Sequence, residues 1–443
     1  MEPKALSIFV LLGLACVGPV ERAAWSEVPE FRGSLTSRAA SDFRSGHLQL
    51  AETLVEPELT GSLGSNVSYT LIGRARFDLA DELEPGDPGA QAHARSAWNR
   101  RVFAGNDADF ELREAYADIY AGNWFVRAGK QQVVWGQADG LRVLDRVNPL
   151  SLREFIIGDF EDRRIPLWML NVERLIGPVT AQFLWIPDTT YNEVPPQGMF
   201  VFTSARYRPT VPQTATSVRF NPADRPDKVI ADSDVGVRIT GFSGGWDWSL
   251  NALHAYLDSP VFRRTGTGSG RIDFTPTYYR STLLGGSASN AFGKVTLRSE
   301  FGYQSRSPML TRDPNDSDGV TVSPELSGVL GLDYQADADT LISGQLFISH
   351  RTQNDPLTVE DQTAYSVSVL GSREFDHDQL KLQFLLLQNI NDGDGLLQLS
   401  ARRNLTGALT LRVGADIFYG DSDGFSGQFE AADRATIALE DGF

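Results

Sequence analysis

Hydrophobicity alternates with a period of two along stretch after stretch of this chain, and no other feature narrows its fold as far. From Ala408 to Tyr419, one face collects Leu409, Leu411, Val413, Ala415, Ile417 and Tyr419, and the other Thr410, Arg412, Gly414, Asp416 and Phe418. Val295, Leu297, Phe301 and Tyr303 stand in the same way against Lys294, Thr296, Arg298, Glu300 and Gln304. Tyr69, Leu71, Ala75, Phe77 and Leu79 stand against Ser68, Thr70, Arg74, Arg76 and Asp78. Successive side chains of a strand point to opposite faces, so each stretch reads as a strand with one apolar and one polar side.

A soluble sandwich alternates too, so the joins between strands decide. Strands fall near 65–80, 109–121, 124–136, 166–175, 178–187, 234–243, 246–256, 278–288, 291–304, 325–336, 340–350, 363–374, 378–388, 395–404, 408–419 and 433–443. Their joins alternate between short and long. The short ones include Gly122-Asn123, Gly177, Gly244-Gly245, Ser289-Asn290, Asp376-His377 and Thr406-Gly407, and between them lie polar stretches rich in Pro and Gly. Tight turns on one side and long loops on the other are the layout of an outer-membrane barrel. The reading is all-β: one transmembrane antiparallel barrel of about sixteen strands over residues 65–443, with short periplasmic turns and both termini in the periplasm. Residues 16–64 read as a periplasmic or plug segment. Alternatively, 33–37 and 47–54 add a hairpin and bring the count to eighteen.

Composition agrees. The 443 residues are 41% hydrophobic with a mean hydropathy of -0.22, too polar for a bundle of spanning helices, and no apolar run beyond the N-terminus reaches the ~18 residues such a helix needs. The net charge of -17 argues against nucleic acid as a partner. Residues 1–15 read as an export signal: Lys4 is the positive start, Ala5 to Leu14 a short apolar core, and Gly13-Leu14-Ala15 a small-residue cleavage site. Cys16, the single cysteine, leaves lipidation as the alternative to simple cleavage. Ten aromatics stand near expected strand ends (Trp168, Trp185, Trp246, Trp248, Tyr278, Tyr279, Tyr303, Tyr334, Tyr365 and Tyr419), where interfacial girdles use them. The terminal Phe443 resembles the signal read by the barrel-assembly machinery, although Asp441 breaks the parity of Ala435, Ile437 and Leu439.

The stretch from Phe110 to Pro187 carries a resemblance. It reads FELREAYADIY to Tyr120, RAGKQQVVWG from Arg127, ADGLRV from Ala138, VNP from Val147, LREF from Leu152, RIPLW from Arg164 and WIP from Trp185. This is similar to a family of proteobacterial outer-membrane barrels defined only as a domain of unknown function, distantly similar to alginate-export and porin-type channels. The resemblance implies an outer-membrane location in a Gram-negative bacterium and a role in transport, without a substrate. Some members work beside efflux pumps for hydrophobic compounds, which makes a periplasmic or efflux-pump partner an alternative to an open channel.

Parity assigns Arg74, Arg76, Arg127, Arg238, Lys294, Arg298, Arg402 and Arg412 to the lumen, with Glu300 and Asp416. On the lipid face each such charge would cost ~2–4 kcal/mol near the midplane. The bland reading is that they pair with one another as wall residues. The long join 137–166 differs from the others. Leu141, Val143, Leu144, Val147, Phe155 and Ile157 interleave with Arg142, Asp145, Arg146, Arg153, Asp159, Glu161 and Asp162. A segment this apolar seeks burial. It is expected to fold into the barrel and narrow it, setting its charges against the basic wall so that the field orients passing solutes. The alternative is a lid over the mouth.

The join 188–233, with Pro195, Pro196, Pro209, Pro212, Pro222 and Pro226, reads as an ordered outer cap, and Met199 to Phe202 as packing on the rim. Acidic tips at 313–319, 391–394 and 421–424 resemble calcium loops but lack the full spacing; divalent bridging to lipopolysaccharide remains open to them. Ser243 sits in a G-x-S-x-G string at an expected periplasmic hairpin, where turn chemistry explains it without catalysis and the strand-to-helix turn of a nucleophile elbow is missing, so an outer-membrane hydrolase is the least favoured reading. The five histidines are scattered, so no metal, cofactor or enzymatic site is expected.

Overall fold

The computed structural model describes residues 28–85, 94–204, 206–211, 215–268, 270–313, 316–353 and 355–443. The expected export signal and Cys16 lie outside the described residues. Strands are numbered in chain order. The wall runs β1 (Glu30–Asp42), β2 (Leu48–Leu63), β3 (Val67–Asp78), β5 (Ala108–Ala121), β6 (Trp124–Gln131), β7 (Leu167–Ile176), β8 (Val179–Ile186), β10 (Asp234–Ser243) and β11 (Trp246–Tyr256). It continues with β14 (Arg280–Phe292), β15 (Val295–Leu310), β16 (Val320–Gln335), β17 (Thr340–Arg351), β18 (Thr363–Phe375), β19 (Leu380–Asn389), β20 (Gly395–Asn404), β21 (Leu409–Tyr419) and β22 (Arg434–Gly442). Each pairs antiparallel with the next, and β1 pairs with β22 to close the ring. Closure leaves no strand edge, which is what lets a sheet cross a membrane. Outside the wall, β4 (Val102–Ala104) lies on β5, while β9 (Ser217–Phe220), β12 (Val261–Gly268) and β13 (Arg271–Thr277) form a small sheet in the long loops.

The wall therefore has eighteen strands, the alternative count rather than sixteen. The difference is the first hairpin. Residues 30–63, expected as a periplasmic or plug segment, are β1 and β2 of the wall, registered on β22 and β3. Other boundaries move as well: the strand expected over 124–136 ends at Gln131, so 132–136 belong to the long join that follows; β15 and β16 extend to Leu310 and from Val320; and Ser289 and Asn290 stay inside β14, whose hairpin closes at Gly293-Lys294.

Alternation sorts the wall as expected. Leu250, Phe301, Leu330 and Ile437 are exposed outward, while Arg74, Glu300 and Asp416 are buried inward. The shortest joins of the wall, of two to four residues, lie at one end, and Gly64, Gly122, Gly177, Gly244 and Gly293 take φ between 59° and 70° there. That left-handed backbone is what two-residue hairpins require and what a glycine adopts without strain. The long joins 79–107, 132–166, 187–233 and 257–279 all rise from the other end. Phe443 joins the wall: its N–H and carbonyl pair with Gly33 at 2.9 and 2.8 Å, and its ring lies 6.1 Å from that of Phe31.

Candidate functional site

The join 132–166 does not stand above the mouth. It crosses the interior and touches both sides of the wall. On one side, the Glu300 carboxylate of β15 accepts the Gln137 N–H and, at 3.1 Å, the Leu144 N–H. Arg298 of β15 donates to the Gln137 carbonyl and to Asp139 at 2.6 Å, and Gln345 of β17 donates to Asp139 at 2.7 Å. Leu144 presses against Gly285, where a Cβ would lie 2.4 Å from its methyl. Trp135 is fully buried and donates its indole N–H to Gln182 of β8 at 2.8 Å. Around these contacts Val143, Leu144 and Val147 join Leu167, Met169, Leu184, Leu253, Leu283, Val329 and Phe347 of the wall in one apolar core. The inner wall is apolar at this level because the segment covers it.

On the other side, Arg153 donates to Glu52 at 2.6 Å, to Asp78 at 2.5 Å and to Glu84 at 2.9 Å. Glu154 accepts from Arg38 at 2.5 Å and from Arg434 at 2.6 Å. Nine steps along the wall separate β2, which carries Glu52, from β15, which carries Glu300. In a ring of eighteen strands that is half a turn, so the two anchors are diametrically opposed. Burial alone would raise Glu84, but Arg101 and Arg153 outweigh it and hold the carboxyl at about 2. Glu154, likewise against burial, is held at about 2 by Arg38 and Arg434.

Asn148 locks the segment onto itself. Its side-chain oxygen accepts the Val133 N–H at 2.8 Å, and its amide donates to the carbonyls of Ile165 at 3.0 Å and Gln131 at 3.4 Å. Asp145 bonds Arg164 at 2.7 Å. Arg142 donates to the Asn148 carbonyl at 2.8 Å and stands 4.0 Å from Asp258. That pair is too long to offset desolvation: burial and the neighbouring Arg146 lower Arg142 to about 10, and burial raises Asp258 to about 6. Phe155 has φ 55° and is fully buried, held by rings of Phe429 at 4.5 Å and Phe425 at 4.7 Å. With Phe200, Phe202 and Phe418 these rings form an aromatic lock at the mouth. Met199 to Phe202 thus pack inward as well as on the rim.

The expected lumen residues divide into three groups. Arg298, Glu300 and Arg238 touch the segment, Arg238 through the Val134 carbonyl at 3.2 Å. Arg74, Arg76, Arg127 and Asp416 are paired within the wall or with its loops: Arg74 with Glu56 at 2.8 Å, Arg76 with Asp109 at 3.1 Å, Arg127 with Asp118 at 2.6 Å and Asp416 with Arg434 at 2.9 Å. Arg402 and Arg412 face each other across β20 and β21 and are exposed, Arg412 lying 3.7 Å from Glu440. Lys294 is a correction. It belongs to the β14–β15 turn, not the inner wall, and donates to the Ala336 carbonyl of the next turn at 2.5 Å. In the segment, Arg153 and Asp145 are buried in ion pairs. Asp159, Glu161 and Asp162, on and just before the helical turn Phe160–Arg163, are exposed. Arg146 is exposed and donates to the Arg142 carbonyl at 3.0 Å. Sequence reading missed Arg38, Glu52, Glu84, Glu154 and Arg434. Glu154 and Asn148 stand in the LREF and VNP strings that carry the family resemblance, but nothing local named their partners.

The outlying motifs lack the context their chemistry needs. Ser243 ends β10 at a two-residue hairpin, opposite Trp246. His254 faces outward and bonds Thr282 at 2.8 Å. Among the described residues no group of three or more His, Cys, Asp or Glu is placed to hold a metal ion.

The profile of the family described as protein of unknown function DUF1302 matches residues 84–382. The chain belongs to DUF1302. That match takes in the whole inward segment and the wall strands that receive its apolar half. No curated protein matches the chain. Among solved structures, an engineered porin of Rh. blastica is 10% identical with a TM-score of 0.41, covering 94% of this chain and all of that one. OmpF of Salmonella typhi, solved in complex with daunomycin, is 10% identical with a TM-score of 0.42, covering 94% of this chain and 97% of that one. The strand count and closure of this DUF1302 barrel stand on its own hydrogen-bond register.

Proposed function

We propose that this barrel is an outer-membrane channel for small solutes whose aperture is set by the inward segment 137–166. The observation that carries the reading is the pair of opposed anchors, Glu300 with Arg298 on one wall and Arg153 with Glu52 on the other. A segment pinned at both ends across the lumen sets its width. Support for a wet path comes from the inner face of β18–β21, where Ser372, Ser400 and Gly414 leave room and Arg402 and Arg412 are exposed. The exposed Asp159, Glu161 and Asp162 supply the opposite sign. Charges of both signs along one passage orient dipolar or charged solutes. The apolar outward face and the closed ring are what outer-membrane lipid requires. The paired Phe443 is the feature the barrel-assembly machinery would read.

The test is current through the full-length refolded protein in a planar bilayer under a KCl gradient. Steady current with a nonzero reversal potential supports the channel. Substituting Arg402→Glu and Arg412→Glu together is expected to move that potential toward cation selectivity. No current from a correctly folded barrel contradicts the open channel and favours the other reading, a sealed barrel that opens only with a periplasmic or efflux-pump partner.

A further inference from the structure

The outer face of β17–β21, near the end with the short turns, carries an apolar groove of about 680 Å³. Its floor is made by small lipid-facing residues, Gly371, Ala401 and Ala415, and its sides by Ile342, Leu382 and Phe384. Strand pairing puts Ile342, Gly371 and Phe384 in one row and Leu382 with Ala401 in the next, so the groove runs obliquely up the wall. The Phe384 ring lies over Gly371, where a Cβ would come within 2.2 Å of it.

Two guanidinium groups stand at the foot of this groove. Arg373 pairs in register with Leu382 on one side of β19, and Arg403 with Leu380 on the other. Two strand spacings and a two-residue offset along the strands put their backbones about 12 Å apart, within the joint reach of two long side chains. Both are exposed on the lipid side, one step inside the outward-facing Phe375 and Leu405. Arg373 stacks on the Phe375 ring at 5.2 Å. Among the described residues neither forms an ion pair, and Asp337 of the adjoining turn influences Arg373 only from beyond pairing distance. A cation facing lipid reaches for the interface and for an anion there. Guanidinium and phosphate match in charge and in fork geometry. Short turns mark the periplasmic side, where the leaflet is built of glycerophospholipid.

We propose that this groove is a binding site for one glycerophospholipid of the periplasmic leaflet, its phosphate held between Arg373 and Arg403 and an acyl chain lying along Ala401 and Ala415 beside the Phe384 ring. The site is independent of conduction, since the side chains that would hold the lipid, those of Arg373, Arg403, Ala401 and Ala415, face away from the lumen, and Ser372, Ser400 and Gly414 line the groove only from the strands beneath it.

The test uses full-length protein refolded in lipid-free detergent, titrated with dioleoylphosphatidylglycerol and read by native mass spectrometry. One lipid is expected to stay bound to the wild type. The double variant R373Q/R403Q removes the charges, and Ala415→Leu fills the floor without touching them. Each is expected to weaken binding at least tenfold. Should Ala415→Leu not fold, the charge variant still decides. Equal occupancy in all three proteins overturns the proposal, as does equal binding of dioleoylglycerol, which has no phosphate. A wild type that carries no lipid but forms oligomers dissociated by Ala415→Leu also overturns it and makes the groove a seam between copies.

Discussion

The two halves of the inward segment cross the same lumen by different physics. Residues 132–149 are held chiefly by shape: Trp135, Val143, Leu144 and Val147 bury themselves against an apolar patch of the inner wall, with Glu300, Arg298 and Gln345 fixing the stretch from Gln137 to Leu144. Residues 150–165 are held chiefly by charge, through Arg153 on three carboxylates and Glu154 on two guanidiniums, with Phe155 seated among aromatic rings beside them. Apolar burial is indifferent to pH and little affected by salt. A buried ion network is cooperative and brittle, because removing one partner strands the others. One end of the segment is therefore a fixed hinge, and the other is the end that conditions or mutations release.

The largest expected effect is on the charged half. Arg153→Ala strands Asp78 and takes one partner each from Glu52, which keeps Arg38 and Arg76, and Glu84, which keeps Arg101; breaking a buried pair costs about 3–5 kcal/mol. Amide exchange in 150–165 should rise by orders of magnitude and conductance should increase, while 132–149 stays protected. Leu144→Ala should do the reverse, costing about 2–5 kcal/mol and loosening 132–149 first. If either variant freed both halves together, the division would be wrong.

Acid should separate the halves without mutation. Glu84 and Glu154 are held at about 2 in the folded protein against an ordinary 4.5. A carboxylate depressed on folding lends stability above its unfolded pKa and loses it as pH falls through the folded one. Exchange in 150–165 should therefore rise between pH 4.5 and 2, with 132–149 unchanged. The smallest effect belongs to Asp258, raised by burial from 3.8 to about 6 beside Arg142, Arg146 and Asp145. The sign is opposite: its stabilising contribution is full below pH 3.8 and lost as pH rises through about 6. The Asn192 amide, which donates to the Asp258 carbonyl at 3.0 Å, should exchange faster at pH 7 than at pH 4. Asp258→Asn should flatten that difference.

The same contrast explains what the sequence disclosed. The wall was legible wherever alternation ran unbroken, and 137–166 was marked for burial by its apolar content. The first hairpin was obscured because β2 contains Pro57, which cannot donate to a ladder and argues against a central strand. The structure accommodates it opposite Gly73, where the nearest ring atom would stand 3.5 Å from a Cβ. Ser289-Asn290 imitates a turn, but the left-handed Gly293 makes the real one. The apolar anchor could be anticipated from side-chain type alone. The ionic anchor could not, because Arg153 meets Glu52 across a hundred residues, on a strand outside the sixteen first counted.

The most direct test of the inward segment is its removal. Gln131 and Leu167 are register partners on β6 and β7, so a short glycine-serine turn in place of 132–166 can rejoin the wall. Single-channel conductance of that variant, compared with the full chain under the same KCl gradient, decides the matter. A several-fold rise with the barrel intact is the expected result. Unchanged conductance in a folded barrel would contradict the account, since the segment would then not set the aperture.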